Sequence, residues 1–214
     1  MLTLQPPAQE RLVLNAVTWK EYSRLLQLLG PRPLRLTFDR GTLEIMTLAP
    51  EHERLKHLLR RMLESIAEEL GIALAGFGSM TCRRKSKRRG LEPDECYWIS
   101  NEASVRGKDR IDLRRDPPPD LAIEVDVTHS SLDRLSIYAG LGVREVWRLE
   151  EQSLTIYVLQ ENSKYLPLDS SSTFHGLKSA DLMTFLALRS QEDETSIVRR
   201  CREWTRKNLK SASS

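Results

Sequence analysis

Apolar and polar residues alternate with two different periods along this chain, and the switches between them mark its elements. From Trp19 to Leu29, the residues Tyr22, Leu25, Leu26 and Leu29 recur at helical spacing, and Gly30-Pro31 closes the run. Residues 34 to 48 change to period two. There LRLTF and TLEIMTL flank an Asp39-Arg40-Gly41 turn, which predicts a hairpin. The clearest helix runs from about Glu51 to Leu70, apolar at 55, 58, 59, 62, 63, 66 and 70. Glu51 and Glu53 suit its first turn, and Gly71 suits its stop.

Short strands are expected near 72–76 and 79–84, and another from about Asp94 to Ile99. Residues 100–119, charged and ending in Pro117-Pro118-Pro119, read as a loop. DLAIEVDV, 120–127, reads as a strand. It leads to a helix from Ser131 to Gly140 with Leu132, Leu135 and Tyr138 inward and Ser130 or Ser131 as its cap. VREVWRLE and SLTIYVLQ predict a hairpin around Glu151-Gln152, followed by a strand near 164–168 and helices near 179–188 and 192–209. Ile197, Val198, Cys201, Trp204 and Leu209 give the last helix a partial apolar stripe. Strands and helices interleave without an internal repeat. The prediction is one α/β (α+β) domain over residues 1–214, a mixed central sheet flanked by helices, with a helical extension from about residue 190.

Composition narrows the class. At 40% apolar, the chain can bury a sizeable core, and a net charge of +3 does not by itself demand a polyanionic partner. Cys82, Cys96 and Cys201 are odd in number and lack CxxC spacing, which argues against a disulfide framework or a zinc ribbon. With no signal peptide and no apolar run long enough to span a bilayer, the expected location is cytoplasmic, with no membrane partner.

The candidate chemistry gathers on the 120–127 strand. Alternation puts Leu121, Ile123, Val125 and Val127 on one face and Asp120, Ala122, Glu124 and Asp126 on the other. Same-face neighbours stand about 7 Å apart, within reach of one hydrated cation. Three acids on one side of an apolar strand repel one another unless something positive compensates. A bound metal would do so; so would water or arginines on an amphipathic strand. Asp94, behind Pro93 at another strand entrance, reads by itself as a turn aspartate. Glu44 reads equally as an exposed strand residue or as one pointing to the same mouth. His52, one turn from Lys56, reads as solvated or capping, and His129 as structural. Arg83, Arg84, Lys85, Lys87, Arg88 and Arg89 place six cations in seven residues. They form either a solvated hairpin tip or a contact for a phosphate backbone.

Taken together, Glu44 in GTLEIM, His52 in APEHERLKHLL, GLEPDECYWI, PPPDLAIEVDVTHSS and LDRLSIYAGLGVREVWRLE resemble the Uma2 family of endonucleases, within the PD-(D/E)XK nuclease superfamily. The likeness spans roughly residues 35–150. It implies a restriction-endonuclease-like core sheet edged by helices, with Mg2+ or Mn2+ at its mouth and nucleic acid, DNA above all, as substrate. The metal-binding acids would be Asp94 and Glu124, with Asp120 as an added ligand or water-holder. His52 and Glu44 would take peripheral roles in the site. Where the superfamily has a lysine two residues after the second acid, this chain has Asp126, and the lysine of a KLxxY context is matched by Arg134. Arg134 would neutralise charge on the phosphate, since arginine does not act as a base. Asp126 would be a further ligand or would pair with Arg134. Two functions stay open: a metal-dependent endonuclease, or a nuclease-fold protein of weak or absent activity that binds nucleic acid or a protein partner. A phosphatase or nucleotide hydrolase is a third reading, without a GxxxxGK[ST] loop to support it. Pairing of two copies through the C-terminal helix is a further expectation.

Overall fold

The computed structural model describes residues 10–30, 32–126, 132–150 and 152–209. Helix α1 (Trp19–Leu29) begins at a capping box, in which Thr18 accepts from the Glu21 backbone and Glu21 accepts from Thr18. Strands β2 (Leu34–Asp39) and β3 (Thr42–Thr47) form the expected hairpin. Arg40 and Gly41, with φ of 48° and 117°, supply the positive φ that a tight hairpin turn requires. Strand β1 (Arg11–Leu14) adds to β3. The basic run folds into a second hairpin, β5 (Cys82–Arg84) and β6 (Arg89–Leu91), which joins through β6 to β2. These strands make an antiparallel sheet in the order β1-β3-β2-β6-β5. Tyr22 of α1 packs on its outer face with Leu36, Phe38 and Leu43, and Gly90 leaves room for the Tyr22 ring, which a Cβ there would strike.

The second sheet is mixed. Its order is β11 (Tyr165–Leu168), β10 (Ser153–Leu159), β9 (Glu145–Glu150), β8 (Leu121–Val125), β7 (Glu95–Trp98) and β4 (Ala75–Gly76). Among the described residues only β8 and β9 run parallel, and helix α4 (Arg134–Leu141) lies in the connection between them. Helix α2 (Pro50–Leu70) lays Leu55, Leu58, Leu59, Met62, Leu63 and Ile66 on one face of this sheet, against Leu121, Ile123, Val125 and Trp147. On the other face, Ile137, Tyr138 and Leu141 of α4 meet Ala122, Cys96, Trp98 and Val146, together with Cys82 and Leu91 of the antiparallel sheet. β8 is therefore buried on both sides.

Several expectations change. The 100–119 loop contains a short helix, α3 (Glu102–Val105). α4 starts at Arg134, capped by Asp133, whose side chain accepts from the Ser136 backbone. Ser130, Ser131, His129 and Val127, to which a cap, a structural role and a strand end had been assigned, lie outside the described residues. Helices α5 (Ser179–Ala187) and α6 (Glu194–Asn208) follow. The stripe of α6 is not a face for a second copy: Ile197, Cys201 and Leu209 are buried in the core beside α2. Among the described residues no helix is long and apolar enough to cross a membrane.

Candidate functional site

Strand register brings the two key acids together. β7 and β8 pair Glu95 with Ile123 and Cys96 with Ala122, so one step further Asp94 stands across from Glu124. Both are buried, at 3% and 8% exposed. Asp94 Oδ2 accepts from the Val125 backbone at 2.8 Å and contacts His52 Nε2 at 3.0 Å; Arg35 Nε lies 3.7 Å from Oδ1. Glu124 Oε1 accepts from Arg134 Nη2 at 2.7 Å and from the Tyr138 hydroxyl. Arg134 also donates to Thr37 Oγ1 at 2.5 Å and to the Glu92 carbonyl at 3.0 Å, and its Nε is buried without an acceptor. Arg134 and Tyr138 stand one helical turn apart on α4 and so reach the same carboxylate.

The electrostatics follow from burial and pairing. Burial pushes the Glu124 carboxyl up to about 7; Arg134 opposes the shift and the Asp94 charge adds to it. Burial would raise Asp94 too, but bonds from His52 and the Val125 N–H, with the positive charges of His52 and Arg134, hold it below its ordinary value. Burial would lower His52, yet Asp94 and Glu53 outweigh it and raise its pKa.

A cavity of about 280 Å³ opens onto this pair, lined among others by Glu44, Glu124, Asp126, Arg134, Tyr138 and Arg148. Glu124 Oε2 has no hydrogen-bond partner among the described residues. Asp94 is set behind Glu124 and does not line the cavity. Glu44 is not an exposed strand residue: it is 1% exposed, faces the cavity from β3, and has Arg11 Nε at 3.6 Å. His52 is neither solvated nor capping; it is fully buried against Asp94.

Other expectations need correction. Asp126 pairs with Arg148, at 2.7 Å, and not with Arg134, although it does line the cavity. Asp120 does not join the pair. It lies four residues before Glu124, about 13 Å along the strand, and its oxygens take the Ile99 and Asn101 backbone N–H groups and the Asn101 amide. Within the basic run, Arg84 donates to the Leu113 carbonyl, while Arg89 binds Asp39 and the Ser136 carbonyl and rests against Gly140 of α4, where a Cβ would collide with it. Both arginines hold the fold together. Arg83, Lys85, Lys87 and Arg88 face solvent. Sequence reasoning missed Tyr138 as a partner of Glu124, reading it only as core. Its position four residues after Arg134 was the available signal.

Among the described residues, no three His, Cys, Asp or Glu side chains converge as a metal cage. Two opposed carboxylates nevertheless suit magnesium or manganese, which keep several waters and need few protein oxygens. Burial makes the charged form of Glu124 costly, which is why its carboxyl is raised, and its Oε2 has no hydrogen-bond partner among the described residues; a cation at that oxygen would relieve the cost.

The profile of the Uma2 family, described as "Putative restriction endonuclease", matches residues 19–193. Among solved structures, the chain is similar to "a putative nuclease belonging to DUF820 from Anabaena variabilis", at 14% identity and a TM-score of 0.50, covering 88% of this chain and 99% of that one. That likeness shows a shared fold. No curated protein matches the chain.

Proposed function

Because this chain belongs to the Uma2 family, described as restriction endonucleases, we propose that it is a metal-dependent endonuclease that hydrolyses phosphodiester bonds in DNA. The observation that carries the reading is the opposition of Asp94 and Glu124 across β7 and β8, with Glu124 open to the cavity and Arg134 beside it. Glu124, with Asp94 across from it, would hold Mg2+ or Mn2+, which when bound would supply Lewis acidity towards the scissile phosphate and acidity to a water. Arg134 lines the same cavity with a permanent charge, suited to a phosphate oxygen as negative charge develops. Tyr138 and Arg134 hold Glu124 in one orientation, and His52 does the same for Asp94. Glu44 and Asp126 also stand on the cavity wall, each beside an arginine that lines it too, Arg11 and Arg148. The whole chain acts as one unit, α6 included, in the cytoplasm.

The test is nicking of supercoiled plasmid with manganese by wild type, Glu124→Ala and Asp94→Asn, with circular dichroism to confirm folding. Loss of nicking in both folded variants is expected. Cleavage unchanged by either substitution ends this assignment.

A further inference from the structure

Away from the acidic cavity, a second cleft of about 530 Å³ lies between the start of α1, strand β5 and the loop that precedes β8. Its walls carry Arg83, Lys85, Arg110 and Arg114 against one carboxylate, Asp112, with Trp19 at its side. The whole chain has a net charge of only +3, so this one cleft concentrates as much positive charge as the entire molecule. Little of it is neutralised. Asp112 is committed to Arg114 at 2.5 Å, and among the described residues Arg83 donates only to the Ser23 hydroxyl, at 3.3 Å. Lys85 and Arg110 are exposed, with no side-chain partner among the described residues.

Like charges gathered in a concavity raise the local potential and favour an anion between them. The cations stand on two banks. Arg83 and Lys85 come from the β5 hairpin, and Arg110 and Arg114 from the loop across from it. Such an arrangement fits a chain of phosphates laid along the groove better than one compact anion, and guanidinium groups match phosphodiester oxygens. We propose that this cleft grips the sugar-phosphate backbone of duplex DNA flanking the position that is cut. The inference rests on the nuclease reading above and adds a second, separate contact to it. No residue lines both cavities. Arg11 and Glu44 border the acidic cavity from β1 and β3, at one side of the antiparallel sheet, whereas β5 is the strand at its opposite edge. Contacts to backbone at such a place strengthen binding without choosing a sequence.

The experiment is fluorescence anisotropy with a labelled mixed-sequence duplex of about 25 base pairs, in chelator so that nothing is cut, across a salt series. Lys85→Glu/Arg110→Glu should bind at least about tenfold more weakly than wild type and reduce the log–log salt slope by about two. Lys164→Glu/Arg199→Glu carries the same charge change at exposed sites elsewhere and should alter binding by less than about threefold. Unchanged melting temperatures establish that all variants fold. If the cleft pair weakens binding no more than the control pair, or if wild type does not bind the duplex, the proposal is overturned. Glu124→Ala keeps the two readings apart. A protein that nicks, loses nicking on Glu124→Ala, and keeps its duplex affinity in the cleft variant overturns this proposal alone. One that never nicks, yet loses duplex binding on reversal of the cleft charges, overturns only the catalytic reading.

Discussion

His52 and Asp94, 42 residues apart in the chain, meet in the interior with Nε2 and Oδ2 at 3.0 Å, and each shifts the other towards its charged form. His52→Ala would leave a buried carboxylate short of its main partner. A loss of about 3 kcal/mol in urea unfolding is expected, with His52→Asn recovering part of it through its amide donor. Equal stability of His52→Ala and wild type would mean that the contact does not hold Asp94.

Stability should depend on pH in a direction set by Glu124 and His52. Both have folded-state pKa values above their ordinary ones, about 7 for Glu124. The folded chain therefore binds more protons than the unfolded one, for Glu124 between its ordinary 4.5 and about 7, and for His52 from 6.5 upward. Without metal, stability should fall as pH rises from about 5 to about 8. Glu124→Gln should flatten the lower part of that decline. Melting curves across the range decide it, and a rise with pH would contradict the electrostatics of the pair.

Manganese competes with the proton on Glu124. Millimolar metal should raise the melting temperature at pH 8 by about 3 °C or more, less at pH 6, and not at all in Glu124→Ala. A shift of the same size in Glu124→Ala would put the cation elsewhere.

Arg134→Lys restores an amine that can deprotonate where the resemblance places one. With the nuclease reading, it should raise the nicking rate above wild type, by about threefold or more at pH 9, and steepen its pH dependence. A drop to the level of Arg134→Ala would assign Arg134 to the triple anchorage of Thr37, Glu92 and Glu124 instead.

Glu145 offers a control remote from the cavity. Fully buried, it accepts from the Trp147 indole and from Ser171, Ser172 and Thr173. Glu145→Ala strands those donors and should cost about 3 kcal/mol in unfolding, with the nicking rate of the folded fraction unchanged.

Much of the fold was legible because burial imposes its period on the chain. α1, α2 and the β2–β3 hairpin each bury one face, so their sequences alternate accordingly. Strand β8 is covered on both sides, and the acids in and just past it survive there because arginines from elsewhere meet them: Arg134 from α4 meets Glu124, and Arg148 from β9 meets Asp126. Spacing along one strand reports none of that. The opposition of Asp94 and Glu124 depends on the register of two strands 26 residues apart, and it was reached through family likeness rather than through periodicity. His52 was misread for a related reason. A first-turn histidine near Lys56 looks solvated until the strand entrance carrying Asp94 is laid over it. Arg84 and Arg89 looked like part of a solvent-facing cluster, yet a long side chain on a hairpin can turn back as easily as out.

The Val125 N–H, which would continue the backbone ladder of an ordinary strand, is taken by the side chain of Asp94. That aspartate thus doubles as a stitch in the seam between β7 and β8. Position 94 is under two demands, whereas Glu124 answers only to the cavity and its α4 partners. A descendant of this chain that had given up cutting would still need a short polar acceptor at 94, while 124 would be free to drift to glutamine.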